Sequence, residues 1–60
     1  MRYNELKRKL SKAGCLLLRH GTRHDLWINP VNGEITTIPR HENEEVPVGT
    51  LKSICKRLGL

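Results

Sequence analysis

"HDLWINPVNGEITTIP", residues 24–39, contains the alternation on which the fold depends. Through 24–29, His24, Leu26 and Ile28 point one way and Asp25, Trp27 and Asn29 the other, the period of two that belongs to a strand. "NPVNG" then turns the chain, with Pro30 fixing φ and Asn32-Gly33 suited to positive φ. "EITTIP" (34–39) follows as a second, β-branched strand ended by Pro39. Ile35 and Ile38 fall on opposite faces under strict alternation, which predicts a bulge or a strand that is apolar on both sides. The side carrying Leu26 and Ile28 is the expected core face. On that reading Trp27 stands on the outer face of the sheet, where it stacks on a base, packs against a partner protein or covers the sheet edge.

Before this hairpin, "CLLLRH" (15–20) is short, apolar and bounded by Gly14 and Gly21, so it reads as a strand, with Gly21-Thr22-Arg23 as the turn. Upstream, Tyr3, Leu6, Leu10 and Ala13 form one apolar stripe at helical spacing. Asn4 is the expected cap of that helix, Glu5 suits its positive end, and Gly14 stops it. Its other faces carry Lys7, Arg8, Lys9 and Lys12. Downstream, "RHENEEVPVG" (40–49) is a polar, acidic loop, and Thr50 is the expected cap of a last helix whose stripe is Leu51, Ile54, Cys55 and Leu58. The predicted order is α-β-β-β-α. This is an α+β fold in which both helices lie on one face of a three-stranded antiparallel sheet, the economical way to bury two helical stripes. Double-stranded-RNA-binding domains share that order.

Sixty residues predict a single domain spanning 1–60. A chain this short buries only about 60% of the surface its unfolded form exposes, and its core supplies no more than about 3–5 kcal/mol. A deep substrate cavity is excluded; an enzyme of this size works at its surface on something larger than itself. Eleven Lys/Arg against six Asp/Glu give a net charge of +5, which points to an anionic partner. No stretch approaches the roughly 20 apolar residues of a membrane span, and the N-terminus lacks the apolar segment of a signal peptide, so a cytoplasmic protein with no membrane association is expected. Cys15 and Cys55 read as small buried hydrophobes rather than a disulfide. Cys15, His20 and His24 lack the spacing of a metal site, and no metal or cofactor is expected.

Three histidines are candidates for chemistry. His20 ends an apolar strand and either caps it or acts chemically; His41, in "IPRHEN", either pairs with Glu42 or meets a phosphate. His24 opens a strand just after a turn carrying Arg23, where a sheet fixes a side chain yet leaves it exposed. Its ordinary pKa, near 6.5, suits proton transfer at neutral pH. Cleavage of RNA needs a base for the 2′-hydroxyl and a cation for the charged phosphorane, and one histidine among Arg19, Arg23 and Arg40 meets both demands. Lys7 and Lys12 on the first helix would add phosphate affinity.

"GTRH", "IPRH" and "GTLKSICKRLGL", in that order and spacing, resemble the HicA family of bacterial toxins, and the resemblance covers nearly the whole chain. It implies a double-stranded-RNA-binding-like fold, metal-independent endoribonuclease activity on mRNA, and one catalytic histidine in the turn motif, which maps to His24. It also implies a HicB-type antitoxin as partner, with operator DNA bound only through that antitoxin. Thr22 stands where the family usually has serine, and Arg23 intervenes between that hydroxyl and His24. The expected site is therefore His24 as general base or acid, with Arg23, Arg19, Arg40, Lys7 and Lys12 binding RNA phosphates. The alternatives are a non-catalytic RNA-binding module using the same face, and a protein-interaction domain anchored by Trp27.

Overall fold

A computed structural model describes residues 1–60. It contains α1 (Tyr3–Lys12), β1 (Leu16–His20), β2 (His24–Asn29), β3 (Glu34–Pro39) and α2 (Val48–Leu58). The sheet is antiparallel in the order β1-β2-β3. Tyr3, Leu6 and Leu10 from α1, Trp27 and Ile38 from the sheet, and Ile54 and Leu58 from α2 share one buried cluster with Cys15 and Val46. Both helices therefore cover the same face, as the order of apolar stripes predicts, in a double-stranded-RNA-binding-domain-like arrangement. No helix is long and apolar enough to cross a membrane.

The sheet is turned over relative to the expectation from aliphatic count. Asp25, Trp27 and Asn29 face the core, and Trp27 is only 6% exposed. His24 is exposed and Leu26 and Ile28 half-buried on the open face. The indole ring removes ~150–250 Å² from water, about 4–6 kcal/mol at ~25 cal/mol per Å² and an upper bound. Its Nε1–H has no acceptor within the protein, a penalty of about 1–3 kcal/mol that the ring's burial outweighs. Asp25 and Asn29 tolerate the same face because each meets polar partners there. Asn29 donates from Nδ2 to the Leu58 carbonyl at 2.7 Å, closing the end of α2, and its Oδ1 accepts from the Val31 amide at 3.1 Å. With Trp27 inside, it cannot serve as the anchor of a partner protein.

The remaining strands follow from this orientation. β3 pairs with β2 without interruption from His24↔Pro39 to Asn29↔Glu34, so the opposed isoleucines make a two-sided strand: Ile38 is fully buried and Ile35 is 39% exposed. The irregularity lies in β1 instead, where the register slips between Leu17 and Arg19 and leaves Leu18 as the extra residue. β1 is an edge strand with all five side chains exposed, and Leu16 is 57% exposed. Cys15 packs into the core just before it, and burial raises its thiol pKa.

Both helix starts differ from the expected caps. α1 begins after Arg2, whose amide donates to Glu5 Oε1 at 3.2 Å, and the first helical amides, Tyr3 and Asn4, donate to the carbonyls of Glu44 and Glu42, each at 3.0 Å. The acidic loop thus caps α1 through its backbone. α2 begins at Val48 rather than after Thr50, with Pro47 as N-cap and its carbonyl accepting from Leu51 at 2.9 Å. Its end is a Schellman turn in which Gly59 adopts φ +75° and Leu60 N–H bonds the Cys55 carbonyl at 2.8 Å.

The orientation of β2 gives a direct test. Trp27→Ala is expected to cost about 3–5 kcal/mol, comparable to the whole stability of so small a domain. Ile28→Thr is expected to cost about 1 kcal/mol or less. Urea unfolding followed by circular dichroism measures both, and the opposite ranking would place Ile28 in the core.

Candidate active site at the β1–β2 turn

The turn joining β1 and β2 is held closed at three points. Gly21 N–H donates to the His24 carbonyl at 2.7 Å, and a Cβ on Gly21 would lie 2.6 Å from that oxygen, so the approach requires glycine. From the end of β3, the Arg40 guanidinium donates from Nη2 to the carbonyls of Gly21 (2.8 Å) and Thr22 (2.5 Å). The Arg40 amide adds a long bond of 3.5 Å to the Arg23 carbonyl. His24, the first residue of β2, is thereby fixed in its backbone while its side chain stays on the open face.

On that face, Arg19, Gly21, Thr22, Arg23, His24, Leu26 and Thr37 line a shallow depression of about 460 Å³. It contains two guanidinium groups, an imidazole and two hydroxyls, and no carboxylate. Arg19 and Arg23 are exposed and take part in none of the ion pairs of the protein. Such a site attracts an anion and sets one imidazole beside it.

Behind the strand, on the core side, Asp25 gathers a second set of charges. Its side chain is 4% exposed. His20 Nδ1 donates to Asp25 Oδ1 at 2.7 Å, Arg40 Nη1 faces the same oxygen at 3.5 Å, and Lys7 Nζ lies 3.6 Å from Oδ2. Burial by itself raises the pKa of this carboxyl. The hydrogen bond from His20 and the positive charges of His20, Lys7 and Arg40 more than reverse that effect and hold it below the ordinary carboxylate value. The bond to Asp25 also places the His20 proton on Nδ1.

The structure therefore divides the residues singled out in the sequence. Arg19, Arg23 and His24 come together in the depression. Arg40 and Lys7 do not join them as free phosphate ligands: Arg40 is engaged with the turn carbonyls and Asp25, and Lys7, with its side chain 16% exposed, lies between Asp25 and Glu42. Lys12 is exposed at the end of α1 and does not line the depression. His41 lies in the loop with Nδ1 3.9 Å from Glu44, its ring edge-on to Tyr3 at 6.2 Å between centroids. Asp25 is the member that sequence reasoning missed. Its only signal was its position in the alternation opposite Leu26, which becomes informative once Trp27 is known to face inward.

Comparison with known families settles the wider identity. The family model described as HicA toxin of bacterial toxin-antitoxin matches residues 3–60. The chain belongs to the HicA toxin family. Neither the curated proteins nor the solved structures provide a match. The family is one of toxins from bacterial toxin–antitoxin pairs, and the exposed basic depression of this chain lies on the sheet face that its own helices leave open.

The buried carboxylate makes a pH-dependent contribution to this HicA protein. Because the Asp25 pKa is lower in the folded chain than in the unfolded one, the stabilisation is present above about pH 4, the unfolded value, and is lost as pH falls through the folded value. Asp25→Asn leaves Lys7 and Arg40 without their counter-charge and takes the charged acceptor from the His20 Nδ1–H; it is expected to cost about 1–3 kcal/mol near pH 7. Thermal melts between pH 2 and 7 should show that difference shrinking towards the acid end; a constant difference would remove Asp25 from the acid response.

Proposed function

We propose that the chain is an endoribonuclease that cleaves mRNA in the cytoplasm without a bound metal, with His24 as the proton-transferring group. The observation that carries this reading is His24 in a carboxylate-free depression beside two uncommitted arginines, in a toxin of a toxin–antitoxin family. The neutral imidazole would take the proton from a ribose 2′-hydroxyl, and that oxygen would attack the adjacent phosphorus. Arg19 and Arg23 would hold the phosphate and stabilise the added negative charge as the phosphorane forms. The imidazolium so produced is the acid available to the departing 5′-oxygen.

The open face also carries apolar surface, with Leu16 and Ile35 exposed and Leu26 and Ile28 half-buried around the basic residues. This mixture suits a partner that is acidic and apolar together. We assign it to a HicB-type antitoxin, which would mask the depression and would itself supply any contact with operator DNA. A partner that binds only the folded toxin adds to its stability by mass action.

His24→Ala is expected to lower cleavage of a long RNA by about 10²–10⁴-fold while circular dichroism stays that of the folded protein, with wild-type cleavage persisting in EDTA. Unchanged cleavage by the variant would remove His24 from the chemistry. Binding of RNA by both proteins with cleavage by neither would instead identify a non-catalytic RNA-binding module.

A further inference from the structure

Arg40 follows β3 directly, yet its guanidinium reaches the turn between the other two strands. Three features of the contact are informative. One nitrogen, Nη2, serves two successive carbonyls, those of Gly21 and Thr22, while Nη1 faces Asp25 Oδ1 at 3.5 Å. That oxygen also accepts the His20 hydrogen bond, and Oδ2 faces Lys7, so the carboxylate on which the guanidinium rests is held from several sides. Finally, the Arg40 side chain is 37% exposed while the carboxylate it faces is 4% exposed, so the guanidinium runs from the buried cluster out to the turn. Its contacts converge on the backbone of residues 21–23, immediately before His24.

We propose that Arg40 is a positioning residue for cleavage: anchored on the buried Asp25 carboxylate, it sets the backbone of the turn that presents Arg23 and His24 to the scissile phosphate. This inference rests on the endoribonuclease reading above. The planar fork of arginine spans a carboxylate on one side and two carbonyls on the other; a lysine ammonium is a point charge that cannot reproduce this geometry. Without the fork, the two carbonyls of a tight turn lose the donor that holds them together, and the turn relaxes. Displacement of a reacting group by about 1 Å costs on the order of 10²-fold in rate. The role differs from holding a phosphate, which would be lost as affinity and as salt dependence.

The experiment compares wild type with Arg40→Lys and Arg40→Ala in steady-state RNA cleavage at several salt concentrations. Amide hydrogen exchange at Gly21, the donor to the His24 carbonyl, is followed in the same proteins. The expected result is a fall in kcat of about 10- to 100-fold in both variants, with KM and its salt slope within about threefold of wild type, and faster exchange at Gly21. Guanidinium ion at low, non-denaturing concentration should restore part of the Arg40→Ala rate. Near-wild-type cleavage by Arg40→Lys would overturn the proposal, as would a loss confined to KM with a shallower salt slope, the mark of a phosphate ligand. Unaltered Gly21 exchange, or unfolding of both variants, would overturn it equally. If wild type does not cleave RNA, the endoribonuclease reading fails by itself, and the proposal that rests on it is overturned with it; faster Gly21 exchange would then show a structural clamp only.

Discussion

A carboxylate buried to 4% exposure organises one end of this small protein. Asp25 is acceptable there only because α1 supplies Lys7, β1 supplies His20 and the residue after β3 supplies Arg40. An unpaired charge in such a position would cost more than a core of this size provides. The cluster therefore ties α1 and all three strands together at the end of the sheet where the β1–β2 turn emerges. At the opposite end of β2, Asn29 does the comparable work for α2 by closing its last carbonyl. A single strand thus carries, on one face, a charge that fixes the first helix, an indole that fills the middle and an amide that fixes the second helix.

The economy of this arrangement leaves the other face free. A three-stranded sheet with two helices has one covered side, so everything on β2 that is not Asp25, Trp27 or Asn29 is displayed. His24 is displayed with its main chain bonded to Gly21 and its neighbours Arg19 and Arg23 uncommitted. The positive charges on the two sides of the strand serve different ends: Lys7 and Arg40 are neutralised within the fold, while Arg19 and Arg23 face outward. A count of cations in the sequence does not separate these groups. Only the outward set is available to a polyanion, so the basic balance of the chain overstates the charge that a ligand at this depression meets directly.

The toxin family of the chain gives this division a functional meaning. A short chain cannot enclose a substrate, and the proposed chemistry asks for no enclosure: a proton acceptor, two cations and a rigid turn at the surface suffice. Rigidity is the scarce component in a domain of marginal stability. It comes here from close backbone packing at Gly21 and from side chains anchored in a buried cluster, rather than from a large core.

Much of the fold was legible in the sequence because the determining signals are local. The stripe Tyr3, Leu6, Leu10, the turn "NPVNG", the β-branched "EITTIP" and the stripe Ile54, Leu58 each name an element, and their order leaves one economical packing. The three-residue turn followed in the same way, and the place of His24 at the start of the strand with it, but its side chain lies on the open face only because the side it shares with Leu26 and Ile28 faces away from the helices. The sequence could not settle which face of β2 is inside, because alternation reports a period and not a direction. Counting aliphatic residues chose Leu26 and Ile28, an inference that assumes polar neighbours face water. Tertiary structure reversed it: the partners that make Asp25 and Asn29 tolerable inside lie 15 to 18 residues away at Arg40 and Lys7 and 29 away at Leu58. The helix starts were hidden for the same reason, since the carbonyls that cap α1 come from Glu42 and Glu44. Local propensity determined the elements; long-range satisfaction of buried polar groups decided how they face one another, and with that which residues reach the surface together.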